Sequence, residues 1–212
     1  MEAAEEMAAG TAVELTEAIR RRRMQRGFSD AAVDGGVLDS LLATALRAPS
    51  AGFSQGVDLL VLEEPASRAL FWSCASDRAW RDGDRARALL AAPVVVVPVA
   101  DPDAYVARYA APDKATSGLA GRPAERWDVP YWTVDASFVV MQLLLAVTDA
   151  GLGALFFRLH GDPDALLAAF GAPRGRQVVG AVAIGHAAAA GHSRTRDRRR
   201  RPADEVVHRD RW

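Results

Sequence analysis

Two stretches of this chain combine residue types that binding chemistry needs. The first is Arg20-Arg21-Arg22-Arg23-Met24-Gln25-Arg26-Gly27-Phe28. Guanidinium groups on Arg22 and Arg26 could converge on one anion and make charge-assisted, bidentate bonds. Taken alone, the run also reads as a solvated basic helix end, as most charge runs do. The second stretch is Ala48-Pro49-Ser50-Ala51-Gly52-Phe53-Ser54-Gln55. Its small residues let backbone approach a ligand, and Ser50, Ser54 and Gln55 offer hydrogen bonds. The alternative is a plain helix-to-strand turn.

Other constellations reduce to structure. Gly151-Leu152-Gly153-Ala154-Leu155-Phe156 looks like the opening of a dinucleotide fingerprint. It lacks the third glycine and follows a helix where that motif requires a strand. Glycines that end a helix and let the next strand lie close to a flat ligand fit better. Asp101-Pro102-Asp103 and Asp162-Pro163-Asp164 resemble paired carboxylates for a metal. Each has the cap-then-proline form of a helix start. His160, His186, His192 and His208 have no metal-ligand spacing, so no metal site is expected. Cys74 stands alone and reads as a packed thiol. No side chain is singled out as a catalytic acid, base or nucleophile.

These stretches need elements to place them. Apolar spacing predicts helices over 13–23 and 37–46, the latter ended by Ala48-Pro49. Strands are expected over Val57–Leu62, 93–100, 154–159 and 178–184, with a short one at 205–208. Residues 137–150 are apolar nearly all round, as in a helix enclosed by the fold. The apolar run at 136–147 contains Gln142 and is too short to span a bilayer. A short helix opens at Asp162-Pro163 and closes before Gly171 and Pro173. Residues 101–131 show little period but hold Tyr105, Tyr109, Trp127 and Tyr131, the pattern of a lid or binding loop. Residues 187–201 form a polar loop ending in four arginines. Strands alternating with helices indicate layered α/β or α+β architecture.

Composition sets the frame. The chain has 212 residues, 50% hydrophobic and 25% charged, enough for one sizeable core and incompatible with global disorder. A net charge of −1 gives no global pull toward nucleic acid or acidic membrane. Lys114 is the only lysine, so nearly every positive charge is a guanidinium. One cysteine excludes an intramolecular disulfide. The acidic, alanine-rich start at 1–10 is without the basic-then-apolar order of an export signal, so none is expected. A cytoplasmic protein is expected, with residues 1–12 as a loose leader.

In this order, the segments resemble the FMN-dependent nitroreductase family. The resemblance runs over about 18–212. It is carried by the segment 22–28, Ala-Pro-Ser-Ala-Gly-Phe-Ser-Gln at 48–55, the helix from Asp135 to Gly-Leu-Gly, the strand after it, and the arginines followed by Glu205-Val-Val-His. It implies a three-layer α/β/α fold of α+β class, with a mixed central sheet and helices on both faces. It also implies an interlocked homodimer with FMN at the subunit interface. Residues 13–212 would then be the FMN-binding domain, with an aromatic lid over 101–132 and a C-terminal arm over 187–212.

By position, the resemblance assigns cofactor binding to Arg22, Arg23, Met24 and Arg26. It assigns the loop around the flavin, partly from the partner subunit, to Pro49, Ser50, Ala51, Gly52, Ser54 and Gln55. Phe157, Arg158 and Leu159 match the strand approaching flavin N5, and Arg198 and Arg200 the pair that completes the phosphate site. Met24 stands where the family often has serine, Phe53 where asparagine is common, and Gly56-Val57 where Pro-Trp is common. Phe53, Tyr105, Tyr109, Trp127 and Tyr131 would contact a small aromatic substrate.

The implied activity is NAD(P)H-dependent reduction of a flat, electron-poor acceptor such as a nitroaromatic or quinone. The flavin carries the redox chemistry while the protein orients it and tunes it. Two alternatives compete. The same fold could use flavin for dehydrogenation, dehalogenation or flavin fragmentation. The arginine-rich stretch 194–201 could instead bind a polyanion, although its basic residues are not interleaved with aromatics.

Overall fold

The computed structural model describes residues 14–188 and 198–212. Its centre is a sheet in the order β1 (Val57–Leu62), β2 (Val94–Ala100), β5 (Ala181–Gly185), β3 (Gly153–Phe157), with the two-residue β4 (Gln177–Val178) also paired to β2. Strand β2 is buried along its whole length, which explains its near-continuous valine. Pro98 falls between the part of β2 paired to β5 and the part paired to β4, where a missing N–H is tolerated.

All pairings among these strands are antiparallel. The mixed character expected of the sheet is confined to one parallel bridge, Met24 to Ala154.

Side chains alternate across the sheet and seed a core on each face. Val95, Val97 and Val99 point to one side, with Phe71, Trp72 and Ala75 of α3 (Pro65–Ala75), Leu89 of α5 (Asp84–Leu90), and Leu166 and Leu167 of α8 (Pro163–Ala169). Val94 and Val96 point to the other, against Leu38, Leu41 and Ala45 of α2 (Gly35–Ala45) and five residues of α7 (Tyr131–Asp149). The result is the three-layer α+β arrangement. Two short helices, α1 (Leu15–Arg21) and α4 (Arg78–Arg81), and α6 (Pro102–Tyr109) complete the eight among the described residues.

Local chemistry sets the helix starts. The Asp101 and Asp162 side chains accept from the backbone N–H of Asp103 and Asp164, with proline following each cap. Both Asp-Pro-Asp motifs are therefore helix caps.

Several expectations need correction. Residues 101–131 are not aperiodic: they hold α6 and 3-10 turns at Pro112–Lys114 and Ala124–Arg126. The helix expected from 137 begins at Tyr131 and runs 19 residues, so by length and composition it could cross a membrane. It is instead the core helix of this fold, packed on α2 and the sheet. The strand expected over 178–184 is broken at Gly180, whose φ of +145° turns the chain. The expected strand at 205–208 is replaced by a 3-10 turn, Ala203–Glu205, followed by exposed chain. Sequence patterning marked nothing over 63–92, which forms three helices. The leader and most of the polar loop lie outside the described residues.

Candidate functional site

Helix α1 ends at Arg22, whose φ of −48° and ψ of 121° turn the chain out of the helix. The chain then runs beside β3: Met24 bridges Ala154, and the Gln25 N–H donates to the Ala154 carbonyl at 2.8 Å. The Gln25 amide donates onward to the carbonyls of Gly27 at 2.6 Å and Ala188 at 2.9 Å. A Cβ on Gly153 would lie 2.8 Å from Gln25 Cγ. The glycine therefore makes room for the arginine segment, while Gly151 at φ +72° closes α7.

Within this segment, Arg22 Nη1 is buried and has no hydrogen-bond partner among the described residues. A buried guanidinium N–H without an acceptor is costly, and an anion is one group that could satisfy it. Arg23 is exposed, with Nη1 donating to the carbonyls of Arg20 and Arg22. Arg26 is exposed and donates to the Met24 carbonyl at 3.2 Å. Met24 packs against both cores. Arg198 and Arg200 are exposed.

The second half of the candidate site is the loop after α2. Ala51–Phe53 form one 3-10 turn, and Gly52, Phe53 and Gln55 have φ of 62°, 57° and 50°. Ser50 Oγ accepts from the Gln55 N–H at 3.1 Å, and Ser54 Oγ donates to the Ala51 carbonyl at 2.6 Å. Pro49, Phe53 and Gln55 are exposed, Phe53 by 75%. Asp135 of α7 is buried, and its Oδ2 accepts from the Ala51 N–H at 2.7 Å and from the Tyr105 hydroxyl at 2.7 Å. Burial first, then the bond to Asp135 and the charges of Asp135 and Asp101, push the Tyr105 phenol well above its usual range. It therefore stays a donor. No sequence signal had pointed to Asp135 or Arg108 as neighbours of this loop.

The aromatic residues expected to meet a substrate divide into two groups. Tyr105 is fully buried and bonded to Asp135, and Trp127 is buried with its indole N–H on the Arg122 carbonyl at 3.1 Å. Both belong to a third apolar cluster with Trp132 and Ala136, so they support the loop from inside. Tyr109 and Tyr131 are half-buried against Trp127, with ring centroids 5.1 Å and 6.2 Å away. Phe157 stacks on Trp72 at 5.3 Å, Arg158 is exposed and Leu159 is buried. A hollow of about 490 Å³ lined by Leu167, Pro173 and Arg174 contains none of the expected site residues.

Within one chain the two halves attach at opposite ends of α7. Asp135, which anchors the loop, is in the second turn of α7, and the arginine segment meets the chain just beyond that helix's other end. From Asp135 to Asp149 the helix rises about 21 Å, at roughly 1.5 Å per residue.

Fold and site together define a three-layer α+β protein with an arginine segment that holds a buried, unpartnered guanidinium nitrogen among the described residues, and a separate hydroxyl-bearing loop. A model of the nitroreductase family matches residues 19–186, and the chain belongs to that family. As a class it is an oxidoreductase. An NADH dehydrogenase of Thermus thermophilus is 28% identical over 192 residues, covering 84% of this chain and 88% of that protein. The structure of Bacillus megaterium NfrA2 matches with a TM-score of 0.71 at 20% identity, covering 94% of this chain and 75% of that one. A candidate nitroreductase from Exiguobacterium sibiricum, in complex with FMN, matches with a TM-score of 0.70 at 21% identity, covering 93% and 98%. The structural likenesses show the fold.

Proposed function

We propose that two copies of this chain hold FMN between them and form a cytoplasmic NAD(P)H-dependent reductase. The observation that carries this reading is the separation of the half-sites to opposite ends of α7. One copy's Arg22 and Arg26 can face one cofactor together with the other copy's Ser50, Ser54 and Gln55. The surface supports such pairing. Leu15 and Ile19 of α1 and Phe138 and Met141 of α7 are exposed at helical spacing, and α1 packs on α7. Val206, Val207 and Trp212 of the C-terminal arm are exposed as well, Trp212 by 99%. Apolar surface of this kind marks an interface.

When bound, FMN supplies two-electron redox chemistry between a nicotinamide donor and a flat, electron-poor acceptor of nitroaromatic or quinone type. The chain's residues bind and orient. Arg22 takes the phosphate through its unpartnered Nη1, with Arg26, Arg198 and Arg200 adding positive charge. Ser50 can donate its hydroxyl proton, because its oxygen serves Gln55 only as acceptor. Phe53, Tyr109 and Tyr131 give the substrate apolar faces. No side chain is assigned a proton-transfer role.

The test is direct. The purified protein, loaded with FMN under argon, should show a flavin spectrum that bleaches with NADH or NADPH, and light scattering should give a dimer mass. Protein that takes up no FMN overturns the proposal. A loaded flavin that neither nicotinamide bleaches retains the cofactor site and overturns the reductase activity.

A further inference from the structure

The inner face of the aromatic segment also bears on the 50–55 turn. The turn at 50–55 is strained: Phe53 and Gln55 are non-glycine residues in left-handed backbone. Such conformations persist only where the surroundings over-determine them. The bonds of Ser50 and Ser54 lie inside the turn and would move with it. Three contacts stand out among those that tie it to the rest of the molecule. Asp135 accepts from the Ala51 N–H. Arg108 Nε donates to the Gly52 carbonyl at 2.7 Å. The Tyr109 ring fills the space beside Gly52, where an added Cβ would come within 2.9 Å of it.

These contacts come from two helices. Tyr105, Arg108 and Tyr109 share one face of α6 at i, i+3 and i+4 spacing. Arg108 is itself held by Asp113, with bonds of 2.9 Å and 2.7 Å that keep the Asp113 carboxyl below its usual range. Asp135 is a carboxylate 2% exposed in an apolar cluster, a position that packing alone would fill with an apolar residue. Its Oδ2 serves two donors, the loop backbone and Tyr105.

We propose that Asp135 and Arg108 are positioning residues for the cofactor. They hold the 50–55 turn in its strained shape, so Ser50, Ser54 and Gln55 stand ready before FMN arrives. This rests on the flavin reading above.

The experiment compares wild type with Asp135→Ala, Asp135→Asn and Arg108→Met. Hydrogen exchange of peptides covering 48–56 is followed in the cofactor-free protein, and FMN affinity is measured by flavin fluorescence titration. Asp135→Ala and Arg108→Met should each speed loop exchange at least tenfold and weaken FMN at least fivefold. Asp135→Asn keeps an oxygen acceptor and should fall nearer wild type than Asp135→Ala. If Asp135→Ala gives no cooperative melt, Arg108→Met alone decides, since its side chain is partly exposed and its stem is preserved.

Folded variants within twofold of wild type in both readouts overturn the proposal. So does faster exchange with unchanged affinity, because the clamp would then serve something other than the cofactor. A wild type that takes up no FMN sinks the flavin reading instead, while the exchange data still report on the clamp.

Discussion

Replacing Arg22 with methionine tests the site through two effects of opposite sign. Methionine keeps most of the apolar stem and removes the guanidinium, so packing loss is small. Without cofactor, Arg22 Nη1 is buried and has no partner among the described residues. Removing an unsatisfied buried donor should leave the cofactor-free protein as stable as before, or up to ~1 kcal/mol more so. With cofactor, that nitrogen would bond a phosphate oxygen. A hydrogen bond to a charged group contributes about 1.5–3 kcal/mol, and each 1.4 kcal/mol is tenfold in Kd. FMN binding should therefore weaken roughly ten- to hundredfold. The same change appears in thermal stability. Ligand at about 100 times the wild-type Kd stabilises by ~2.7 kcal/mol, and a tenfold weaker variant at that concentration gains only ~1.4 kcal/mol. Fluorescence titration and urea melts with and without FMN measure both terms. An Arg22→Met protein that loses stability without cofactor yet binds FMN within threefold of wild type refutes the reasoning.

Three further outcomes follow from the packing. Leu143 is fully buried in the α7 core, so Leu143→Ala should cost about 2–5 kcal/mol in urea melts, and a loss under ~1 kcal/mol contradicts that core. Gly161 lies against the end of α3, where an added Cβ would meet the Cys74 carbonyl, so Gly161→Ala should cost at least ~2 kcal/mol; a neutral result shows the backbones are not in contact. Tyr105 holds its proton more tightly in the fold than in the unfolded chain, so its contribution is complete below about pH 10 and falls as pH rises beyond it. Melts at about pH 8 and pH 11 should show a larger alkaline loss for wild type than for Tyr105→Phe; equal losses break the argument.

Much of the architecture was legible in residue patterns because each signal is local. Continuous valine in β2, glycine after α7, and aspartate-proline at the starts of α6 and α8 act within a few residues of where they stand. The order of the arginine segment, the serine-bearing loop and the glycine-ended helix was enough to bring out the family resemblance.

What the pattern could not supply is distance across the fold. Asp135 looked like one polar residue in an apolar helix. Only packing brings its carboxylate 84 positions back along the chain to Ala51, because a carboxylate buried in the fold must find donors there. Tyr105 and Trp127 had the right chemistry for a substrate face, and tertiary structure turned them inward, where aromatic area is more stabilising as core. The separation of the two half-sites also arises only in three dimensions. It follows from the length of α7, which no local signal records, and it is the reason the proposed site draws on two copies of the chain.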